Sequence, residues 1–506
     1  MSGNRFHFSS YLCRAYLTAG RWITLGLVVS LLAACHPISG TPATRQPGLT
    51  STPRLTATRF ATQPGGVSET PLPQQVTPTS NRPLKAADLQ GVPVEFWVVA
   101  GDEARPLLVE LVDQFDSTNQ WGIQVTGVPL DSLESMEDRY RSAKQDGKLP
   151  GLLAGYTELV LSWDAGGASI VDLSRYVEDP DWGLAPEAVD DFYAGIWSRE
   201  TLTLAAQRSA GSVQVGLPWY RSGTVLLYNQ TWASQLGFAG LPFTPDEFSQ
   251  QACAAAKANN QDTDRRNNGS GGWLLSPDAS TLLSWIFAFG GQVIQPGGGG
   301  YRFDSPQALA ALRFIHGLHV QGCAWLSPDS TPLQEFAARR ALFVTSSMTE
   351  LRAVPAALTA AGSQDTWTVL PFPSPDGPAA IDVYGPSLIM LKASPDRQLA
   401  AWLFARWLVS PEIMARWTAK LGVFPVRASV LPLLGQAKDL LPQQQAAQKL
   451  VSLARPEPAY ASWSMVRWAL QDALRQMLMP EFQAAQAVIL LENLDRLAAE
   501  IHAQVH

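Results

Sequence analysis

From Val92 onward, apolar positions alternate between two spacings. Val92–Ala100, VPVEFWVVA, is short, β-branched and aromatic and is followed by Gly101, so it predicts a buried strand. Leu107, Leu108, Leu111, Val112 and Phe115 then recur at helical spacing. Ile123–Val128 predicts a strand, Leu133–Ala143 a helix, and Gly151–Tyr156, after Pro150, a strand again. Strand, helix, strand, helix, strand is the sequence form of an α/β domain with a parallel sheet. Its crossovers are right-handed, and ligands bind beyond the carboxyl ends of its strands. Trp97 and Tyr156 fall at or near such ends.

A second α/β unit follows Leu226. It predicts helices at Phe248–Ala258, Leu282–Phe289 and Ala308–Leu318, and strands at Gly272–Leu275 and Ala341–Thr345. Ser305 or Asp304 supplies an N-cap, with Pro306 in the first helical turn. Gly297–Gly300 reads as a loose turn, because the Lys and Ser/Thr of a phosphate-binding loop are missing.

Ahead of Val92 the pattern is different. Arg14 and Arg21 precede an apolar run, Trp22–Leu32, too short to span a membrane comfortably but suited to a signal-peptide core. The run ends Leu32-Ala33-Ala34-Cys35, which resembles the bacterial lipobox. The expectation is a leader over 1–34 and an acylated Cys35, anchoring the chain to the outer face of the cytoplasmic membrane without spanning it. Residues 35–90 are rich in Thr, Pro, Ser and Gln and predict a disordered tether. At ~5–6 Å × √n its reach is about 40 Å. Residues 91–506 would form the folded part. Cys13 leaves with the leader, so Cys253 and Cys323 remain, either as a disulfide, which that compartment permits, or as two buried thiols.

Composition narrows the function. A net charge of -7 over 506 residues argues against nucleic acid as a partner. Seventeen tryptophans suggest large rigid faces, in cores or against a flat-faced ligand such as a carbohydrate. Enzyme signals are thin: the sequence has no G-x-S-x-G, no H-E-x-x-H and no Rossmann fingerprint. His316 and His319 share a helix face but have no nearby acidic ligand, so they read as surface histidines, and no metal or cofactor is expected.

Several segments, in order, resemble the family of extracytoplasmic solute-binding proteins that deliver sugars to ABC importers. Val94-Glu95-Phe96-Trp97 resembles its opening strand, and Gly216–Phe238, GLPWYRSGTVLLYNQTWASQLGF, its Gly-x-Pro, aromatic tip and Tyr-Asn run. TPDEFSQQA, FDSPQALAAL and FAARRALFVTSS are similar to its helix starts and its Ala-Met segment. Trp407–Val430 resembles its Ser-Pro-Glu helix and closing Pro-Val-Arg turn. The loop Asp262–Gly269 resembles a calcium loop of some relatives, but Arg266 stands where an oxygen ligand is needed.

The resemblance implies a type II periplasmic-binding-protein-like α/β fold: two lobes, each a mainly parallel sheet flanked by helices, joined by a hinge. One lobe would hold about 92–218 and 388–430, the other about 221–385 and 431–506. Ligand-facing candidates are Trp97, Tyr156, Trp219, Tyr220, Arg221, Asp278, Ser346, Tyr384 and Trp463. Sugars suit such residues, since C–H faces stack on rings and hydroxyls need fixed donors and acceptors. The implied function is a monomeric, lipid-anchored, non-enzymatic substrate-binding subunit that passes a small solute, a carbohydrate first, to a membrane permease. The rivals are a tethered glycan-processing enzyme, which would need two spaced carboxylates, and a solute sensor without transport.

Overall fold

The computed structural model describes residues 86–505 apart from 165, 205–210, 328–330 and 439. The expected leader, Cys35 and nearly all of the expected tether lie outside the described residues. No helix among the described residues is long and apolar enough to cross a membrane.

Two sheets organise the chain. In the first, the spatial order is Gln124–Leu130, Pro93–Val99, Leu152–Gly155, Ser387–Met390, Leu217–Pro218. The first three strands are parallel, and Ser387–Met390 runs antiparallel to both of its neighbours. Val94, Phe96, Trp97 and Val98 are all buried, so both faces of the central strand are covered, as a parallel sheet requires. The helix Arg105–Thr118 turns Leu108, Leu111, Val112 and Phe115 inward at the spacing seen in the sequence. Leu133–Gln145 begins at a capping box between Ser132 and Ser135. From the other side, Phe404 of the helix Pro395–Leu408 meets the edges of Phe96 and Phe115.

The second sheet is built around one long strand, Tyr220–Asn229. Ala341–Ser347, Trp367–Leu370, Ile381–Tyr384 and Phe424–Pro425 all pair with it antiparallel. Gly271–Leu274 and Ala324–Trp325 extend the sheet in parallel on one side, Ala454–Pro456 on the other. Phe248, Trp273, Trp285, Phe314 and Phe343 interlock into its core. Helix starts follow sequence chemistry. Thr244 and Glu247 form a capping box, and the Ser305 hydroxyl accepts the Ala308 N–H ahead of Pro306. Cys253 and Cys323 are joined by a disulfide, with Cα atoms 4.5 Å apart. His316, read from sequence as a surface residue, is instead buried, because its ring packs on Phe482.

The sheets are linked where the chain passes between them. Leu217–Pro218 ends in the first sheet and Tyr220 begins the second; Tyr384 ends a strand of the second and Ser387 begins one of the first. These two crossings touch. Gly385 has φ +153, and a Cβ there would stand 2.7 Å from the Tyr220 carbonyl oxygen, so only glycine fits. Phe424–Pro425 lies alongside, paired with Arg221 and Tyr220.

Candidate functional site at the crossings

Three tyrosines mark the junction. Tyr156 follows the carboxyl end of Leu152–Gly155 and precedes the helix Thr157–Trp163. Tyr220 opens the long strand, and Tyr384 closes Ile381–Tyr384 opposite Ser222. All three are half-buried. Tyr220 and Tyr384 both face Tyr156 electrostatically. Burial pushes all three hydroxyls above their ordinary range, so each stays a neutral donor and acceptor at physiological pH.

Behind them lie two buried ionic clusters. In the first, Glu200 accepts from Arg199 Nη1 and Arg221 Nη2, each at 2.9 Å, and from the Thr157 hydroxyl at 2.5 Å. Arg199 also donates to Glu158 at 2.5 Å. Arg221 adds bonds to the carbonyls of Tyr220 and Pro386 and to the Ser387 hydroxyl, at 2.8, 2.7 and 3.0 Å. One guanidinium therefore fixes both crossings. Arg199 reaches further, donating through Nε to the Glu457 carbonyl at 2.6 Å. Burial alone would raise the Glu200 carboxyl, but Arg199 and Arg221 outweigh it and hold it below its ordinary value. Arg221 is pulled down to about 10 by its own desolvation, which Glu200 only partly offsets.

The second cluster surrounds Glu457. Its carboxylate accepts the Trp463 indole N–H at 2.6 Å and Arg467 Nε at 3.1 Å to both oxygens. Ser280 bonds Arg467 and, at 3.4 Å, Glu457. Asp382, one residue from Val383 and two from Tyr384, is wholly buried. It faces Glu457, Arg467 and Ser280, and desolvation, reinforced by Glu457, drives its carboxyl well above the ordinary range. Asp278 caps the helix Ala279–Ala288 through the Thr281 N–H at 2.9 Å and faces both Tyr384 and Arg467.

The candidates from sequence divide by exposure. Tyr156, Tyr220, Tyr384 and Asp278 are partly exposed around one junction. Arg221 and Trp463 are fully buried and reach that junction through the two clusters. Trp219 is also fully buried, stacked on Trp417 at 4.7 Å and set edge-on to Phe96 and Tyr220. Trp97 sits in the core of the first sheet, its N–H on Glu95 and the Arg139 guanidinium 4.7 Å from its ring. Ser346 is buried and bonds Glu350 at 2.9 Å. Neither Trp97 nor Ser346 takes part in the two clusters.

Sequence reading missed Arg199, Glu200, Glu457, Arg467, Asp382 and Trp417. Asp382 did carry a signal: it is a charge inside the apolar run IDVY, on the same strand face as Tyr384. Glu457, between Pro456 and Pro458, carried a weaker one. Arg199 and Glu200 carried none. No group of His, Cys, Asp and Glu among the described residues could hold a metal ion, and Arg266 pairs with Asp264 at 2.8 Å. An open hollow of about 480 Å³ lined by Asp172, Arg175, Lys392 and Gln398 lies beyond Met390, which pairs with Leu152, at the end of the first sheet away from the tyrosines.

Comparison with solved structures places the same architecture in binding proteins. The chain is similar to the cyclic α-maltosyl-1,6-maltose binding protein of Arthrobacter globiformis, at 17% identity and TM-score 0.67, over 81% of this chain and 99% of that one. It is similar to the sugar-binding protein MalE of Xanthomonas citri, at 21% and 0.66, over 82% and 98%. It is also similar to UgpB of Mycobacterium tuberculosis, solved with glycerophosphocholine, at 16% and 0.61, over 82% and 99%. These likenesses establish the two-lobed α/β fold. No curated protein matches the chain. Residues 110–445, well over half of the sequence, match the family described as bacterial extracellular solute-binding protein. The chain belongs to that family, whose members capture solutes outside the cytoplasm and act as binding proteins, not enzymes.

Proposed function

We propose that this protein is the lipid-anchored substrate-binding subunit of an ABC importer and that its solute is a carbohydrate. The observation that carries the reading is a set of three partly exposed tyrosines, Tyr220 and Tyr384 at the crossings and Tyr156 at the end of Leu152–Gly155, with Tyr220 and Tyr384 facing Tyr156. Tyrosine offers both a face for sugar C–H groups and a hydroxyl for sugar oxygens. The relatives named above as maltose-type and sugar-binding proteins support the same class. The lobes would hold about 92–218 and 388–430 on one side and about 221–385 and 431–506 on the other. Tyr156, Tyr220, Tyr384 and Asp278 would touch the solute. Arg221, Trp219 and Trp463 would hold those residues from behind, and Trp97 and Ser346 would support the outer walls.

Capture works by difference. A solute that touches Tyr156 on one side and Tyr220 and Tyr384 on the other favours the form in which the lobes are together. That form would dock on the permease, while the acylated Cys35 and its tether keep the binding domain near the membrane.

A thermal-shift panel of mono-, di- and oligosaccharides, polyols and glycerophosphodiesters tests the solute class. A ligand at ~100 times its dissociation constant adds about 2.7 kcal/mol. A shift confined to sugars supports the reading, and a shift confined to non-sugars removes carbohydrate. Metabolic labelling with a radiolabelled fatty acid, lost in Cys35→Ser, tests the anchor.

A further inference from the structure

The charges around the tyrosines do not balance. Five carboxylates, Glu158, Glu200, Asp278, Asp382 and Glu457, face three guanidiniums, Arg199, Arg221 and Arg467. Each guanidinium is committed: Arg199 to Glu158 and Glu200, Arg221 to Glu200 and two crossing carbonyls, Arg467 to Glu457 and Ser280. Counted by residue, the carboxylates outnumber the guanidiniums by two.

Anion recognition needs a free cation or an open helix N-terminus. Arg221 and Arg467, the described cations that face Tyr220 and Tyr384, already serve carboxylates. The N-terminus of the helix Ala279–Ala288 is already filled by the Asp278 carboxylate, and Glu158 occupies the first turn of Thr157–Trp163. An anionic group brought between Tyr156 and Tyr384 would meet more carboxylates than guanidiniums, in a place where burial weakens screening.

We infer that the cleft selects uncharged or amine-bearing polyhydroxylated solutes and excludes anionic ones, uronates and sugar phosphates included. This rests on the solute-capture reading above and narrows it. It also separates the chain from a fold relative solved with a phosphodiester.

The test is calorimetric titration of the whole chain with matched sets: a neutral sugar, its amino derivative, its uronate and its phosphate, across mono- and oligosaccharide series at pH 7. The expected result is binding of neutral and amino members, with the uronate and phosphate at least tenfold weaker. In Asp278→Asn, which keeps an N-cap side chain and removes one charge, the ratio of neutral to anionic affinity should narrow several-fold. The wild-type panel decides alone if that variant does not fold. An anionic member that binds as well as its neutral parent overturns the inference and leaves solute capture standing. Silence across every set overturns the carbohydrate reading and this inference with it.

Discussion

Glu200→Gln tests whether the Glu200 charge ties the two crossings together. Glu200 is fully buried and sits between two guanidiniums, Arg199 and Arg221, each at 2.9 Å. The amide keeps the shape and one acceptor oxygen but removes the charge that both guanidiniums were desolvated to meet. Breaking a buried pair by taking away one partner costs about 3–5 kcal/mol, because the remaining charge stays buried. Lys85–His506 forms one compact unit. At ~2.1 cal/mol/K per residue over ~420 residues, the loss lowers Tm by about 3–6 °C. The pH profile gives the sign. Glu200 ionises below its ordinary value of 4.5, so its contribution is fully present above that pH and is lost as pH falls through the lowered native value. Scanning calorimetry from about pH 2.5 to 8 should show a constant gap between wild type and variant at neutral pH that begins to close below about pH 4.5. A variant that melts within 1 °C of wild type, or a gap that stays constant on acidification, would refute the account of Glu200 as the keystone of both crossings.

Asp382→Asn should act in the opposite direction. Its carboxyl ionises well above the ordinary 3.8, so the cost of burying it grows as pH rises from there; thermal melts should find the variant more stable than wild type at pH 8 and equal to it near pH 4. Replacing both Cys253 and Cys323 by Ser opens a link across 70 residues, which the chain-entropy relation puts at about 4 kcal/mol in denaturant titrations; reducing agent should then change the wild type and leave the variant unchanged. Tyr384→Phe removes one hydroxyl at the junction and should weaken solute binding roughly 3- to 10-fold with little change in melting. Trp219→Ala leaves a cavity beside Trp417 and Phe96 and should cost about 3–5 kcal/mol of stability; affinity lost without stability in Trp219→Ala would show that its ring meets the solute.

What the sequence disclosed, it disclosed through burial. Pro93–Val99 read as a strand because its run is short, β-branched and aromatic, with Val94, Phe96, Trp97 and Val98 buried, and the helix start near Ser305 was readable because capping is local chemistry. Tyr220 and Tyr384 were legible through the family resemblance, and the glycine and prolines beside them stand where the chain changes sheet. The ionic clusters were not legible, since Arg199 meets the Glu457 carbonyl across 258 positions and Arg221 meets Ser387 across 166. Aromatic residue type also says nothing about which face is free. Trp219 and Tyr220 are neighbours in sequence, yet one is sealed under Trp417 and the other is partly open.

That division suits a binding protein that must move. Tryptophans sealed behind the crossings bury large areas and give rigidity. The buried ion pairs add little net stability, but they tolerate only one arrangement of the strands they join. Gly385 against the Tyr220 carbonyl, and Gly223 with its Cβ position 2.8 Å from the Phe424 ring, press three chain passages together with no room for intermediate spacings. Such close packing is bistable; it does not deform continuously. Tyr220 and Tyr384 open and close strands that make these passages, so on the proposed reading a solute resting on them would act on the crossings directly. A contact worth even 1–2 kcal/mol at Tyr220 or Tyr384 would then shift the balance of the two forms by about 5- to 30-fold, without any relay through the rest of the fold.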